Sequence, residues 1–585
     1  MNSPYLPPLT DLRFVLNEVL GYERLYSQPA YRHADAEVAD AVLSEAGRLA
    51  VEVLAPLGPS GDAHGARFED GRVTMPPGFR EAYAQYVQGG WPGLDMPREH
   101  GGQDLPLVLQ AAFAELVNGA CVAFGMLPLM ERAATRLLIA HARPELVQRL
   151  VPSMAAGTCG ATICISEPQA GSDVGRIATR ARPDAGGIHR ISGTKMFITY
   201  GDHDLTGQII HMVLARLPGA PPGTRGLSLF AVPKCRLGGD GASPDNGVQI
   251  VHVERKMGLK ASPTCVVEFD HAEGHLVGEE HAGLKAMFTM VNAMRLEVAV
   301  QGVAIAGAAT ARALRYATER TQGGAPDSAP PAIIVHADVR RMLHEMRART
   351  EGLRALVLEA AFQLDLSRCG APAEQADALA LAEWLLPVCK ACCSEAGFEV
   401  ANLAVQVFGG HGYISDTGVE QYVRDSRVMS IYEGANGIQA LDLVMRKLAP
   451  DDGHRYRLFV ERIRTDLRRL SGSAGVERIG RALDDGLARL DACTGALLAS
   501  LPARARDAEA GASAYLKMVG LVGSGWMWLR MAAAAEGSAL QRTKQALARF
   551  HAEYLMPEIA VLERRVLLGA AALDELDGAD LAATE

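Results

Sequence analysis

The sequence predicts a mainly α protein with a central β domain: a helical bundle, an antiparallel β sandwich or barrel, a second helical bundle and an additional C-terminal α-helical module. Three observations carry this. Near the start, Leu12, Val15, Leu16, Val19 and Leu20 repeat at the spacing of one helix face. Between about 161 and 281 the pattern changes to short β-rich runs separated by turn residues, with no helix between them. Beyond them helical periodicity returns, broken once by the cluster Ala449-Pro-Asp-Asp-Gly453.

The first unit, residues 1–160, is helical. Val38, Val42, Leu49 and Val53 repeat the apolar stripe, and Pro56-Leu-Gly-Pro59 and Gly89-Gly-Trp-Pro92 punctuate it. The β unit, 161–281, contains seven runs, beginning at Ala161-Thr-Ile-Cys-Ile165 and ending at Cys265-Val-Val-Glu-Phe269. Seven strands without intervening helices predict antiparallel pairing. The third unit, 282–449, opens with a proline-free helical stretch to about Arg320 and continues with helices over about 335–366, 375–408 and 436–448, a four-helix-type bundle. The last, 450–585, is an all-α module with helices over Arg457 to Leu470, Ala482 to Leu501 and Tyr515 to Ala535.

A chain of 585 residues with 49% hydrophobic content buries several cores, which excludes a disordered segment or one small binding module. Its net charge of −10 argues against a surface built for nucleic acid or anionic lipid. The ten cysteines lie mostly in apolar segments without an extracellular framework's spacing, so they read as reduced, buried thiols. The start, Met1-Asn-Ser-Pro-Tyr-Leu-Pro-Pro, has no signal-peptide pattern, and no run of about 18 uninterrupted apolar residues occurs, so a cytoplasmic, non-membrane protein is expected. The pair Cys389-Lys-Ala-Cys392 lacks the second ligand pair of a zinc site and reads as helix packing, and no metal site is expected. Motifs for a phosphate-binding loop, a zinc protease, a nucleophile elbow and a Rossmann dinucleotide site are missing.

Three segments concentrate turn-forming and hydrogen-bonding residues beside apolar runs: Cys164-Ile-Ser-Glu-Pro-Gln-Ala-Gly-Ser-Asp-Val174, Gly193-Thr-Lys-Met-Phe-Ile-Thr-Tyr-Gly201, and Gln406-Val-Phe-Gly-Gly-His-Gly-Tyr413 running on to Ile431-Tyr-Glu-Gly-Ala-Asn-Gly-Ile-Gln439. Their order and spacing resemble the acyl-CoA dehydrogenase family of flavoenzymes over roughly residues 30–450. The C-terminal module resembles the family's longer branch.

The resemblance implies FAD as cofactor and an acyl-CoA substrate, 3-(methylthio)propanoyl-CoA or a short- or medium-chain acyl-CoA, converted to the trans-2-enoyl-CoA. In that reaction a carboxylate removes the α-proton while the β-hydrogen leaves as hydride to flavin N5. It implies Glu433 as the catalytic base, in an apolar setting that raises its pKa. Where some relatives carry the base on the long helix, this chain has Met294, and Glu297 nearby is the one rival. Ser166 and Thr199 match positions that hydrogen-bond the flavin ring, and Phe197 one that stacks on it. Ser172 and Arg295 match the CoA side of the cleft. Arg320, Gln406, Gly409 and Gly410 match the FAD pyrophosphate and adenine contribution made across a subunit interface, which implies a homodimer or higher homo-oligomer. An electron-transfer flavoprotein is the implied electron acceptor.

The chain departs from the family pattern at Ala435, where relatives carry a Thr whose hydroxyl the resemblance places toward the adenosine half of FAD, and at Gly323, where relatives carry a Phe. Two alternatives remain open: an acyl-CoA oxidase using O2, and a DNA-binding relative suggested by Arg455, Arg457, Arg462, Arg464, Arg468 and Arg469 on one helix. Against the second, residues 451–585 balance 18 basic with 19 acidic residues, so no nucleic-acid partner is expected.

Overall fold

All seven β-rich runs fall in six strands of one seven-stranded sheet, whose remaining strand, Arg180–Pro183, no run marked. In the computed structural model, which describes residues 5–184, 186–237 and 245–583, this sheet holds β3 (Cys159–Cys164), β4 (Arg180–Pro183), β5 (His189–Thr199), β6 (Gln208–Arg216), β7 (Leu227–Pro233), β8 (Val248–Val253) and β9 (Thr264–Val277). Met1 to Pro4, the first half of the opening stretch read above, lie outside the described residues. A hairpin of β1 (Arg67–Glu69) and β2 (Arg72–Thr74) interrupts the otherwise helical first 160 residues.

The pairings β6–β4, β4–β5, β5–β9, β9–β7 and β7–β6 form a ring, so the sheet closes on itself as a barrel, with β3 added to β6 and β8 to β9. Not every pair is antiparallel: β3 runs parallel to β6, and β4 touches β6 in parallel at Arg180 and Arg216. The expectation of a wholly antiparallel sheet is corrected there. The crossover from β3 to β6 passes through two other strands, a route that run-by-run reading cannot see. Two of the sequence runs, 189–192 and 196–199, are one strand, β5, bent by a register shift between Lys195 and Ile198. The barrel interior is filled by Val213, Phe230, Val267 and Phe269, all buried.

The chain divides into two compact units, residues 42–297 and residues 1–41 with 298–585. The first holds the barrel and the helix Leu107–His141, which is long and apolar enough to cross a membrane by length and composition but is almost wholly buried. That helix is kinked at Cys121, where φ and ψ leave the helical region.

In the second unit, Ala337–Cys369 and Pro372–Phe408 pack together with the helices of the last 130 residues, His454–Leu470, Glu477–Ser500, Ala505–Ala534, Gln541–Phe550 and Glu558–Leu568. Small residues permit the close approach: a Cβ at Gly352 would sit 2.5 Å from Ser524 Oγ, and one at Gly520 would sit 2.3 Å from Cys392 Sγ. Trp528 Nε1 donates to the Ala348 carbonyl at 3.0 Å, and Lys544 Nζ reaches both Asp11 and Glu351. The C-terminal helices therefore share one core with the N-terminal segment and residues 298–448.

Candidate active site

The segment from Ile431 to Ala435 is a tight irregular turn between the short helix Arg427–Ser430 and the helix Asn436–Leu441. Glu433 has φ 53° and Gly434 φ 89°, two left-handed residues in succession. A side chain other than glycine persists there only when its surroundings hold it. The hold comes from Lys390, wholly buried on the helix Pro372–Phe408. Its Nζ donates to the Gly434 carbonyl at 2.8 Å and to Asn436 Oδ1 at 3.1 Å. Gln439 Nε2 donates to the same carbonyl at 3.1 Å, and the Tyr432 hydroxyl donates to Gln301 Oε1. Burial raises the Glu433 pKa, the nearby Lys390 charge opposes it, and the net is about 7. A carboxylate with that value is matched to proton abstraction near neutral pH.

In the other unit, the chain leaves β3 through Ser166, whose carbonyl accepts the Met196 N–H at 3.0 Å. Lys195 is wholly buried, with Nζ 2.8 Å from Glu167 Oε1 and 3.0 Å from the Ile165 carbonyl. Glu167 also accepts from the N–H of Ala178 at 2.7 Å and from Thr179 Oγ1 at 2.6 Å. Burial alone would raise its pKa; the Lys195 charge and these donors bring it down to about 2, so the pair is ionised. This cross-tie fixes Ser166 against the bulge of β5.

At that bulge Phe197 has φ 60° and is 59% exposed, so a large apolar ring is held outward on a strained backbone. Two residues on, Thr199 is half-buried and pairs with Thr264 across β5 and β9. Ser166, Phe197 and Thr199 thus lie around one end of β5. Ser172 is exposed on the following loop; Arg295 is buried on the helix Gly283–Glu319, with Nη1 3.4 Å from Asn292 Oδ1.

The rival base is engaged elsewhere. Glu297 is buried and ion-paired with Arg132, whose Nε and Nη2 also clamp Asp95 at 2.9 and 2.8 Å. Met294 is wholly buried.

Arg320, Gln406, Gly409 and Gly410 are all exposed in the unit that carries Glu433. Gly409 ends the helix Pro372–Phe408 with φ 59°, and a Cβ on Gly409 or Gly410 would meet nothing within 4 Å, so backbone there is open to a ligand. Among the described residues Arg320 donates within its own loop, to Gln322 Oε1 at 3.3 Å. Two residues missed at the sequence level are Lys195 and Lys390. Each interrupts an apolar stretch, and a lysine there has to be paired.

Four family domains match in chain order: the acyl-CoA dehydrogenase N-terminal domain over 39–158, its middle domain over 162–272, its C-terminal domain over 281–448, and the acetyl-CoA dehydrogenase C-terminal-like domain over 459–577. The chain belongs to the acyl-CoA dehydrogenase family, oxidoreductases that act on the CH–CH bond of acyl-CoA thioesters. It is 41% identical over 576 residues to the 3-methylmercaptopropionyl-CoA dehydrogenase of Ruegeria pomeroyi, covering 96% of this chain and 98% of that one. The fold is shared with Caenorhabditis elegans ACDH-11 in complex with C11-CoA (TM-score 0.80, 21% identity, 94% of this chain and 92% of that one). It is also shared with the Bacillus anthracis acyl-CoA dehydrogenase complexed with FAD (TM-score 0.77, 19% identity, 93% and 90%).

Proposed function

We propose that this protein is an FAD-dependent dehydrogenase that converts 3-(methylthio)propanoyl-CoA, or a short- or medium-chain acyl-CoA, to the trans-2-enoyl-CoA, with Glu433 removing the α-proton. The observation that carries the proposal is the Glu433 turn: a half-buried carboxyl on a residue held in the left-handed region, with its pKa raised by burial to about 7.

The residues present fit FAD. An outward aromatic ring at Phe197 offers a stacking face, and Ser166 and Thr199 offer hydroxyl and backbone groups beside it. Arg320 offers a guanidinium for phosphate, and Gln406, Gly409 and Gly410 offer exposed backbone that a phosphate can approach closely. When bound, FAD supplies the hydride acceptor for the β-hydrogen. Glu433 accepts the α-proton at its carboxylate, and its own backbone N–H is the donor for the thioester oxygen as charge develops there. Ser172 and Arg295 are the substrate-side residues of this reading. A homodimer or higher oligomer completes the FAD site, and an electron-transfer flavoprotein takes the electrons. All ten cysteines are free thiols, in keeping with a reducing cytoplasm.

The test is an anaerobic titration of the purified yellow protein with 3-(methylthio)propanoyl-, butanoyl-, octanoyl- and palmitoyl-CoA, following loss of flavin absorbance. Bleaching by the first two or three supports the reading. Bleaching by palmitoyl-CoA alone refutes the substrate class, and a protein that binds no flavin refutes the activity. Rapid reoxidation by O2 would move the assignment to an oxidase.

A further inference from the structure

Six arginines on the helix His454–Leu470 were the sequence's one suggestion of a polyanion partner. Five of them are spoken for: Arg455 pairs with Glu383 and Asp451, Arg457 donates to the Asp452 carbonyl, Arg464 pairs with Asp491, Arg468 with Glu461 and Arg469 with Asp466. Arg462 is different. It lines a cavity of about 160 Å³ where the N-terminal segment, the helix Ala337–Cys369 and two helices of the C-terminal module meet, all within one compact unit.

Other charges in this cavity are already matched. Glu359 accepts from Arg530 Nη1 at 2.8 Å and from Gln363 Nε2 at 2.8 Å. Asp466 accepts from Trp526 Nε1 at 2.8 Å and from Arg469 at 2.7 Å. Arg24 pairs with Glu374 at 2.7 Å. Among the described residues no ion pair or hydrogen bond engages Arg462, so one guanidinium is in surplus. Deeper in, the Gln363 side chain is 4% exposed, and its Oε1 has no hydrogen-bond donor. Its orientation is fixed, because reversing the amide would turn oxygen toward the Glu359 carboxylate.

The cavity therefore lacks two things at once: negative charge for Arg462, and a donor for a buried acceptor. We propose that it binds inorganic phosphate as the hydrogen phosphate dianion, whose ionised oxygens accept from Arg462 while its single O–H donates to Gln363 Oε1. Sulfate has the same size and charge but carries no proton at neutral pH. A phosphomonoester dianion also lacks the O–H. The site shares no lining residue with the Glu433 turn, so it is a ligand site of the C-terminal module separate from the chemistry.

Calorimetric titration of the flavin-loaded, full-length protein at pH 8 with phosphate, sulfate and glycerol 3-phosphate tests this. Saturable phosphate binding about tenfold or more tighter than sulfate and glycerol 3-phosphate is expected, the worth of one satisfied buried acceptor. Arg462→Gln should abolish binding, and Gln363→Met, close in size, should reduce phosphate to the sulfate level. Equal binding of phosphate and sulfate, binding unchanged in Arg462→Gln, or no binding to the wild type would each overturn the proposal. Circular dichroism of the two variants separates lost binding from lost folding.

Discussion

Lys390 Nζ donates to the Gly434 carbonyl at 2.8 Å, so a buried ammonium grips the residue next to Glu433 through backbone rather than through the carboxylate. The cation is close enough to restrain the Glu433 pKa while it holds the turn through the Gly434 carbonyl. That arrangement reconciles a strained backbone with a usable base. In Lys390→Met both effects are lost. The ascending limb of the pH profile for reduction by substrate should move to higher pH, because removing a positive neighbour raises a carboxyl pKa that already lies at about 7. The rate at pH 7 should fall by about tenfold or more from the loosened turn. A pH series of anaerobic stopped-flow traces reads both.

Glu297 should be dispensable for chemistry but not for stability. It balances Arg132, which Asp95 alone would leave with one carboxylate fewer in a buried network. Removing one member of a buried ion network costs on the order of 3 kcal/mol. Glu297→Gln should therefore lower the melting temperature while substrate reduction of the flavin stays within a few-fold of wild type. A loss as large as that expected for the Glu433 variant would restore Glu297 as the base.

The Tyr83 hydroxyl lies 3.0 Å from both Glu131 Oε1 and the Gly157 carbonyl, and it has one proton for two acceptors. A protonated Glu131 resolves this by donating to the tyrosine oxygen. Burial, opposed only weakly by the Tyr83 hydrogen bond, raises its pKa to about 8. The folded state then holds a proton that the unfolded chain has released, from about pH 4.5 up to about 8, so stability falls as pH rises through that window. Glu433, raised to about 7, adds a contribution of the same sign. Glu131→Gln should flatten the decline and stabilise the protein at pH 8 by on the order of a few kcal/mol. Melting temperatures of both proteins between pH 5 and 8.5 check the slope.

Lys195→Met should strand Glu167 without its counter-charge, although the Ala178 and Thr179 donors remain. The expected result is flavin lost on gel filtration, since the loop through Ser166 keeps its backbone bond to Met196 but loses the Lys195 side-chain tie to β5, together with a stability cost on the order of 3 kcal/mol. Flavin content per polypeptide measures it.

Much of this was legible from the sequence. The run Cys265 to Phe269 falls in the strand it suggested, because one buried face imposes period 2 on a strand; the stripe Leu12 to Leu20 is helical as expected, but widens from an α-helix into a π-helical turn at Val15–Leu20, a change that the apolar spacing does not show. The ring closure of the barrel was not, since a pairing such as Arg180 with Arg216 depends on chain path rather than on local pattern. Glu433 stood out through its motif; its left-handed φ and the Lys390 clamp did not, because the lysine is distant in sequence and sits in an apolar helix. The module's union with residues 1–41 was hidden for the same reason: Lys544 meets Asp11 across more than five hundred residues.

The most direct measurement is anaerobic reduction of the bound flavin by 3-(methylthio)propanoyl-CoA in wild type and Glu433→Gln, with substrate binding followed separately by the shift of the oxidised flavin spectrum. A neutral amide of the same shape should keep the binding shift and slow reduction by about 10²-fold to 10⁴-fold, the share that a positioned base contributes. Reduction at the wild-type rate would place the base elsewhere and contradict the central claim.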